Sequence, residues 1–167
     1  MTGPVNDTAS DTASDTVSGP VGGKAVSGAL NRRYEDVTVG EKLPELSIPL
    51  TRTMIVATAL ASRDYQDVHH DPALAVERGS KDVFMNILTT NGLVDRYVTS
   101  WAGPAAVVKA IKIRLGAPNY PGDTMVLTGT VAAKHDDRRV EIAVRGVNAI
   151  GPHVTGTVVV QLRGSDS

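Results

Sequence analysis

Cysteine is absent from all 167 residues, which excludes disulfides, thiolate nucleophiles and cysteine-held metal centres. Aromatic residues are almost as scarce, with one Phe, one Trp and four Tyr, so any core must be built from Val, Ile, Leu and Ala. Neither sign of charge dominates. Seventeen Lys and Arg stand against 18 Asp and Glu, leaving no basic field to attract nucleic acid or an anionic membrane. No apolar stretch approaches the roughly 20 residues that cross a bilayer. No basic segment followed by an apolar one marks a secretory signal. The expectation is a cytoplasmic protein with room for one core but not two.

Residues 1 to about 30 differ in composition from the remainder. Asp7-Thr-Ala-Ser, Asp11-Thr-Ala-Ser and Asp15-Thr-Val-Ser repeat every four residues, and a Gly-rich run at Gly19, Gly22 and Gly23 follows. So little apolar surface cannot offset chain entropy, and a disordered tail is expected. A single folded domain over 34–163 comes next.

Leu43 to Leu50 mixes apolar residues with Pro44 and Pro49 and predicts a short edge strand. Thr51 or Thr53 can cap a helix running through Met54 to Ala61. Asp71-Pro72 pairs an N-cap with a proline at the first helical position, and Gly79 stops that short helix. From Asp82 to Ala102, Phe84, Leu88, Leu93, Val94, Tyr97, Val98 and Trp101 recur at near-helical spacing, predicting the longest helix. Gly92 in its middle predicts a close neighbour against the backbone. Beyond Pro104 the period becomes two. Ile111 to Leu115, Met125 to Thr130, Val140 to Arg145 and Val154 to Leu162 read as four half-buried strands in an antiparallel meander. The fold class is α+β, with the long helix against one sheet face.

Chemistry concentrates in Ala61-Ser-Arg-Asp-Tyr-Gln-Asp-Val-His-His-Asp-Pro72. Asp64 closes the first helix and His69 follows five residues later across an irregular turn. A carboxylate and an imidazole that share one water form a minimal acid/base pair. Each neighbour also has a plainer reading: Asp71 as an N-cap, Asp67 in an Asx-turn, and His70 facing solvent. On their own, an Asp and a His at this spacing are weak evidence, and a capped surface loop is the favoured reading. Lys109, Lys112 and Arg114 alternate on one strand, which puts them on a solvated face, although that strand could also meet anionic phosphates.

The order of motifs adds a family resemblance. The MaoC-like (R)-specific enoyl-CoA hydratases of the hotdog fold carry Asp-x-Asn-Pro-x-His-x-Asp, an Ala and a Gly, then a helix with His-Gly-Met-Leu-Thr-x-Gly-Leu. This sequence resembles them in Asp64-Tyr-Gln-Asp-Val-His69-His-Asp71, Ala75, Gly79, Met85-Asn-Ile-Leu-Thr-Thr-Asn-Gly-Leu93 and the turn Tyr120-Pro-Gly-Asp123. The resemblance spans Tyr34 to Arg163 and implies a hotdog fold in which a sheet wraps the long helix. It implies Asp64 and His69 as the catalytic pair holding water for syn addition to a trans-2-enoyl-CoA. It also implies the backbone N–H of Asn86 as the donor to the thioester oxygen. No cofactor or metal is implied, because CoA is part of the substrate. Gln66 and Asp67 stand where the family has Asn-Pro, and Asn86 where it has glycine.

Tyr97-Val-Thr-x-Trp-Ala-Gly-Pro104 and Gly79-Ser-Lys-Asp82 bring the chain closer to one branch of that family. Its members are small catalytic subunits of actinobacterial hydratases acting on the shortened steroid side chain in cholesterol catabolism. The branch implies a MaoC-like partner subunit in a heterodimer or heterotetramer. Two alternatives stand beside this reading. One is a hotdog acyl-CoA thioesterase recruiting Asp82 or Asp95; the other is a non-catalytic assembly subunit.

Overall fold

The structure is a computed structural model that describes residues 31–165; the tetrapeptide repeat and the Gly-rich run lie outside the described residues. The elements are β1 (Lys42–Pro49), α1 (Arg52–Ala61), a 3-10 turn (Asp67–His69), α2 (Pro72–Glu77), α3 (Ile87–Ala102), β2 (Val107–Leu115), β3 (Thr124–Lys134), β4 (Arg139–Val147) and β5 (Pro152–Gln161). The five strands form one sheet in the order β1-β3-β4-β5-β2, and every neighbouring pair is antiparallel.

Alternation decides which side of the sheet is inside. Met125, Leu127 and Val131 on β3, Val140, Ile142 and Val144 on β4, and Val154, Val158 and Val160 on β5 are all buried. They face Leu93, Val94, Tyr97, Val98 and Ala102, the buried stripe of α3, whose spacing of three and four keeps them on one helix face. This is the α+β hotdog arrangement that the sequence predicts. The outer face carries exposed Lys109, Lys112, Arg114 and Arg145. That is the solvated surface expected from the alternation.

The topology differs from a four-strand meander in one respect. Only β3, β4 and β5 follow one another across the sheet, whereas β2 lies beyond β5. Leaving α3, the chain passes to the far edge before it turns back at 116–123. Gly156 permits close pairing of β5 with β2, since a Cβ there would sit 2.1 Å from the Lys112 carbonyl oxygen. Among the described residues β1 pairs only with β3 and is an edge strand, with a register shift between Leu43 and Leu46 at Pro44.

Two helix expectations need correction. α3 begins at Ile87, not at Asp82. The intervening backbone N–H groups are committed elsewhere: Val83 to the Asp82 carboxylate, Phe84 to Val68 O and Met85 to Asn119 O. Phe84 has the right spacing for the helix stripe but lies in an extended segment. Gly92 also has no close neighbour, because a Cβ there would meet nothing within 4 Å. It lies on the exposed side of α3.

Candidate active site

Three short elements converge on one point. α1 starts at Thr51, whose hydroxyl accepts the Met54 N–H at 3.0 Å, and ends at Ala61. Past it, Arg63 takes the left-handed conformation (φ 58°), and the Asp64 N–H returns to Ala59 O at 2.9 Å. That reversal turns the Asp64 side chain back toward the start of α3. The 3-10 turn then carries His69 to the same place from the other side. Asp71 anchors the turn by accepting the N–H groups of Ala73 (2.9 Å) and Leu74 (3.1 Å) at the head of α2, the N-cap the sequence predicts.

The imidazole has a defined tautomer. His69 Nδ1 lies 2.7 Å from the carbonyl oxygen of Phe84; a carbonyl only accepts, so Nδ1 carries the proton and Nε2 keeps its lone pair. Nε2 faces Asp64 Oδ2 at 3.5 Å. The Phe84 ring meets the imidazole edge-on, 4.9 Å between centroids. His69 is 8% exposed, while the Asp64 side chain retains 21% of its surface. The pair is therefore sheltered but open on one side. A water hydrogen-bonded to both groups would stand about 2.8 Å from each.

Asn86 closes the site. It is the N-cap of α3, with Oδ1 accepting the Thr89 N–H at 3.0 Å. Its Nδ2 donates to Ser62 Oγ at 2.9 Å and to Asp64 Oδ2 at 3.0 Å. The side chain thus folds inward, 2% exposed. No acceptor for the Asn86 backbone N–H occurs among the described residues. It lies at the positive end of a sixteen-residue helix, where negative charge is favoured.

The remaining candidates resolve differently. Asp67 makes no Asx-turn with its side chain; its carboxylate pairs with Arg78 at 2.6 Å. Asp64 instead accepts the Gln66 N–H, at 3.4 Å. His70 is only partly open to solvent: it is half-buried, and its Nδ1 is inaccessible with no hydrogen-bond partner among the described residues. Asp82 is clamped by Arg52 through two bonds of 2.8 and 2.7 Å. That guanidinium, with the Val83 N–H, holds its carboxyl below the usual range against the opposing effect of burial. It is not free for nucleophilic or base chemistry. Asp95 lies half-buried in the middle of α3, nine residues beyond Asn86. No cluster of three or more His, Asp or Glu able to hold a metal occurs among the described residues. A cavity of about 510 Å³ is lined by Lys109, Lys112, Arg139 and Glu141, sharing no residue with the Asp64–His69 loop.

Three participants escape sequence reasoning. Ser62 and the Phe84 carbonyl have no local signature. The capping role of Asn86 was readable, because an Asn just before a periodic apolar run is a start signal. Asn119, fully buried, receives the Met85 N–H and so fixes the approach to Asn86.

Comparison with known proteins places the chain in a family. The family described as MaoC like domain matches residues 36–151. The chain belongs to the MaoC-like family. This MaoC-like chain is 54% identical over 127 residues to the 3-oxo-4,17-pregnadiene-20-carboxyl-CoA hydratase beta subunit of Mycobacterium tuberculosis, covering 76% of this chain and 98% of that one. Among solved structures, it matches the ChsH1-ChsH2 complex from Mycobacterium tuberculosis with TM-score 0.74 and 53% identity, over 75% of this chain and 98% of the other. The R-hydratase PhaJ1 from Pseudomonas aeruginosa matches with TM-score 0.74 at 23% identity, over 81% of this chain and 88% of the other. At that identity the likeness speaks for the hotdog fold alone. No helix among the described residues is long and apolar enough to cross a membrane.

Proposed function

We propose that this chain is the catalytic subunit of an enoyl-CoA hydratase, adding water to a trans-2-enoyl-CoA to give the 3-hydroxyacyl-CoA. The observation that carries the reading is the convergence of His69 Nε2 and Asp64 Oδ2, 3.5 Å apart, beside the unengaged N–H of Asn86. The water donates one O–H to each acceptor, which turns its oxygen lone pair toward the β-carbon. As the C–O bond forms, the π electrons move through the α-carbon to the thioester oxygen, and the Asn86 N–H receives that charge. His69 Nε2 takes the water's proton, and the adjacent carboxylate stabilises the imidazolium. The same nitrogen then protonates the α-carbon from the same face, giving syn addition. No cofactor enters the scheme.

The acyl group we propose is a bulky steroid side-chain intermediate, supported by the hydratase subunit at 54% identity. Leu60 and Tyr65 near Asp64, and Ile87 and Leu88 after Asn86, are all at least 45% exposed, apolar surface that a polycyclic group and a second subunit would cover. A MaoC-like partner subunit, in a heterodimer or heterotetramer, belongs to the same reading; the hydratase beta subunit and the ChsH1-ChsH2 complex support the partner. The test is to co-purify the chain with its partner and follow loss of the conjugated thioester absorbance. Turnover of a steroid enoyl-CoA without release of free CoA thiol is expected. Thiol release without hydration would indicate a thioesterase instead, and no turnover on short, long or steroid enoyl-CoAs would overturn the proposal.

A further inference from the structure

We infer that the side-chain amide of Asn86 is a positioning group that holds Asp64 as a hydrogen-bond acceptor toward the water it shares with His69, an inference that rests on the hydratase reading above. The hydrogen bonds leave one orientation of the amide. Its Oδ1 accepts the Thr89 N–H at 3.0 Å, so the nitrogen must face Ser62 and Asp64. The Ser62 hydroxyl spends its own proton on the carbonyls of Thr58 (2.8 Å) and Ala59 (3.0 Å), so Ser62 Oγ can only accept from Asn86. The donors therefore run one way: Asn86 to Ser62, and Ser62 to the end of α1.

The second proton of Nδ2 is what remains, and it goes to Asp64 Oδ2 at 3.0 Å. An amide nitrogen donates and never accepts, so this oxygen keeps its lone pairs for Asn86 and for the water. Asp64 orients that water, and His69 Nε2 carries the mobile proton. The amide also ties the end of α1, which carries Asp64, to the start of α3, which carries the N–H for the thioester oxygen. One side chain thereby fixes the distance between the water and the charge-receiving amide.

Capping does not account for the choice of residue. Asn, Asp and Ser cap helices about equally well, and each supplies the acceptor that Thr89 needs. Asp has no donor, and the Ser hydroxyl proton sits on the short capping atom itself; Asn alone caps with one atom and donates to Asp64 with another, Nδ2, at 3.0 Å. The glycine of the family motif supplies neither.

The experiment measures kcat and KM for Asn86→Ser and Asn86→Asp in the assembled enzyme, beside Asp64→Asn, with thermal midpoints for each. A cap-only role predicts wild-type kcat for Asn86→Ser, since Ser caps about as well as Asn. A positioning role predicts that Asn86→Ser keeps its thermal midpoint and KM within about twofold while kcat falls about ten- to hundredfold. Asn86→Asp, which sets a second carboxylate against Asp64, falls further. Should Asn86→Asp fail to fold, Ser62→Ala decides the matter. It removes the anchor of the amide without touching Asp64, so it lowers kcat too, and its effect is not additive with that of Asn86→Ser. Wild-type kcat in Asn86→Ser, with Asp64→Asn inactive, overturns the inference and leaves the hydratase reading standing. Activity retained in Asp64→Asn overturns the reading itself.

Discussion

His69 donates its Nδ1 proton to the backbone carbonyl of Phe84 over 2.7 Å, so a main-chain atom just ahead of α3 selects which imidazole nitrogen faces Asp64. A carbonyl cannot be altered by side-chain substitution, and the tautomer is therefore set by the fold. Nitrogen-15 NMR of the imidazole near neutral pH should find neutral His69 in the Nδ1–H form, with Nε2 bare. Detection of the Nε2–H tautomer would remove the base from the scheme.

Tyr97 is an apparent defect in the core. Its hydroxyl is buried without a partner, and burial, with Glu45 nearby, pushes its ionisation up to about 12. An unsatisfied buried hydroxyl costs about 1–3 kcal/mol relative to a bonded one. Tyr97→Phe removes the hydroxyl while keeping the ring against Gly129, and should leave the midpoint of thermal unfolding unchanged or raise it. A loss above about 1 kcal/mol would mean that the hydroxyl has a partner.

His153 links stability to pH. It is 2% exposed, with Nδ1–H bonded to Ala117 O at 2.6 Å and Nε2 accepting from Thr90 Oγ1 at 2.9 Å. Burial lowers its proton affinity below the ordinary 6.5, opposed by the bond to Ala117. As pH falls below about 6.5 the unfolded chain takes up a proton that the folded one refuses, so stability must decline on acidification. His153→Gln should be less stable at pH 7, by about 1–3 kcal/mol for the orphaned partners. Between pH 7 and 5.5 it should lose less than wild type. Equal slopes would show that His153 is not the linked group.

Gly156 tests the sheet order. A methyl group there would stand 2.1 Å from Lys112 O and 2.8 Å from Ile113 Cα, backbone atoms that move only if β2 moves. Gly156→Ala should destabilise by more than about 2 kcal/mol, with early hydrogen exchange concentrated in β2. A neutral effect would contradict the β2–β5 register.

Much of this was legible in local pattern. The alternation in β2 to β5 marked the strands, and Thr51 and Asp71 marked two helix starts, because capping and period are properties of a few adjacent residues. What failed was non-local. Phe84 shares the helical spacing, but Val68 and Asn119 claim the N–H groups around it. The pairing of β2 with β5 is decided by close backbone approach at Gly156. In the site, Asp64 and His69 stood out as residue types in one loop. Ser62 did not, because its role depends on α3 arriving opposite α1. Asp67 was open to an Asx-turn until Arg78, eleven residues on, was seen to reach it.

The most direct measurement is the hydration rate of the assembled enzyme carrying Asp64→Asn or His69→Ala, read from the conjugated thioester absorbance under saturating substrate. If these two side chains activate the water, each variant folds with its partner and loses roughly 10²–10⁴ in rate. A folded complex in which both variants turn over at the wild-type rate would contradict the account and assign the chemistry to another chain.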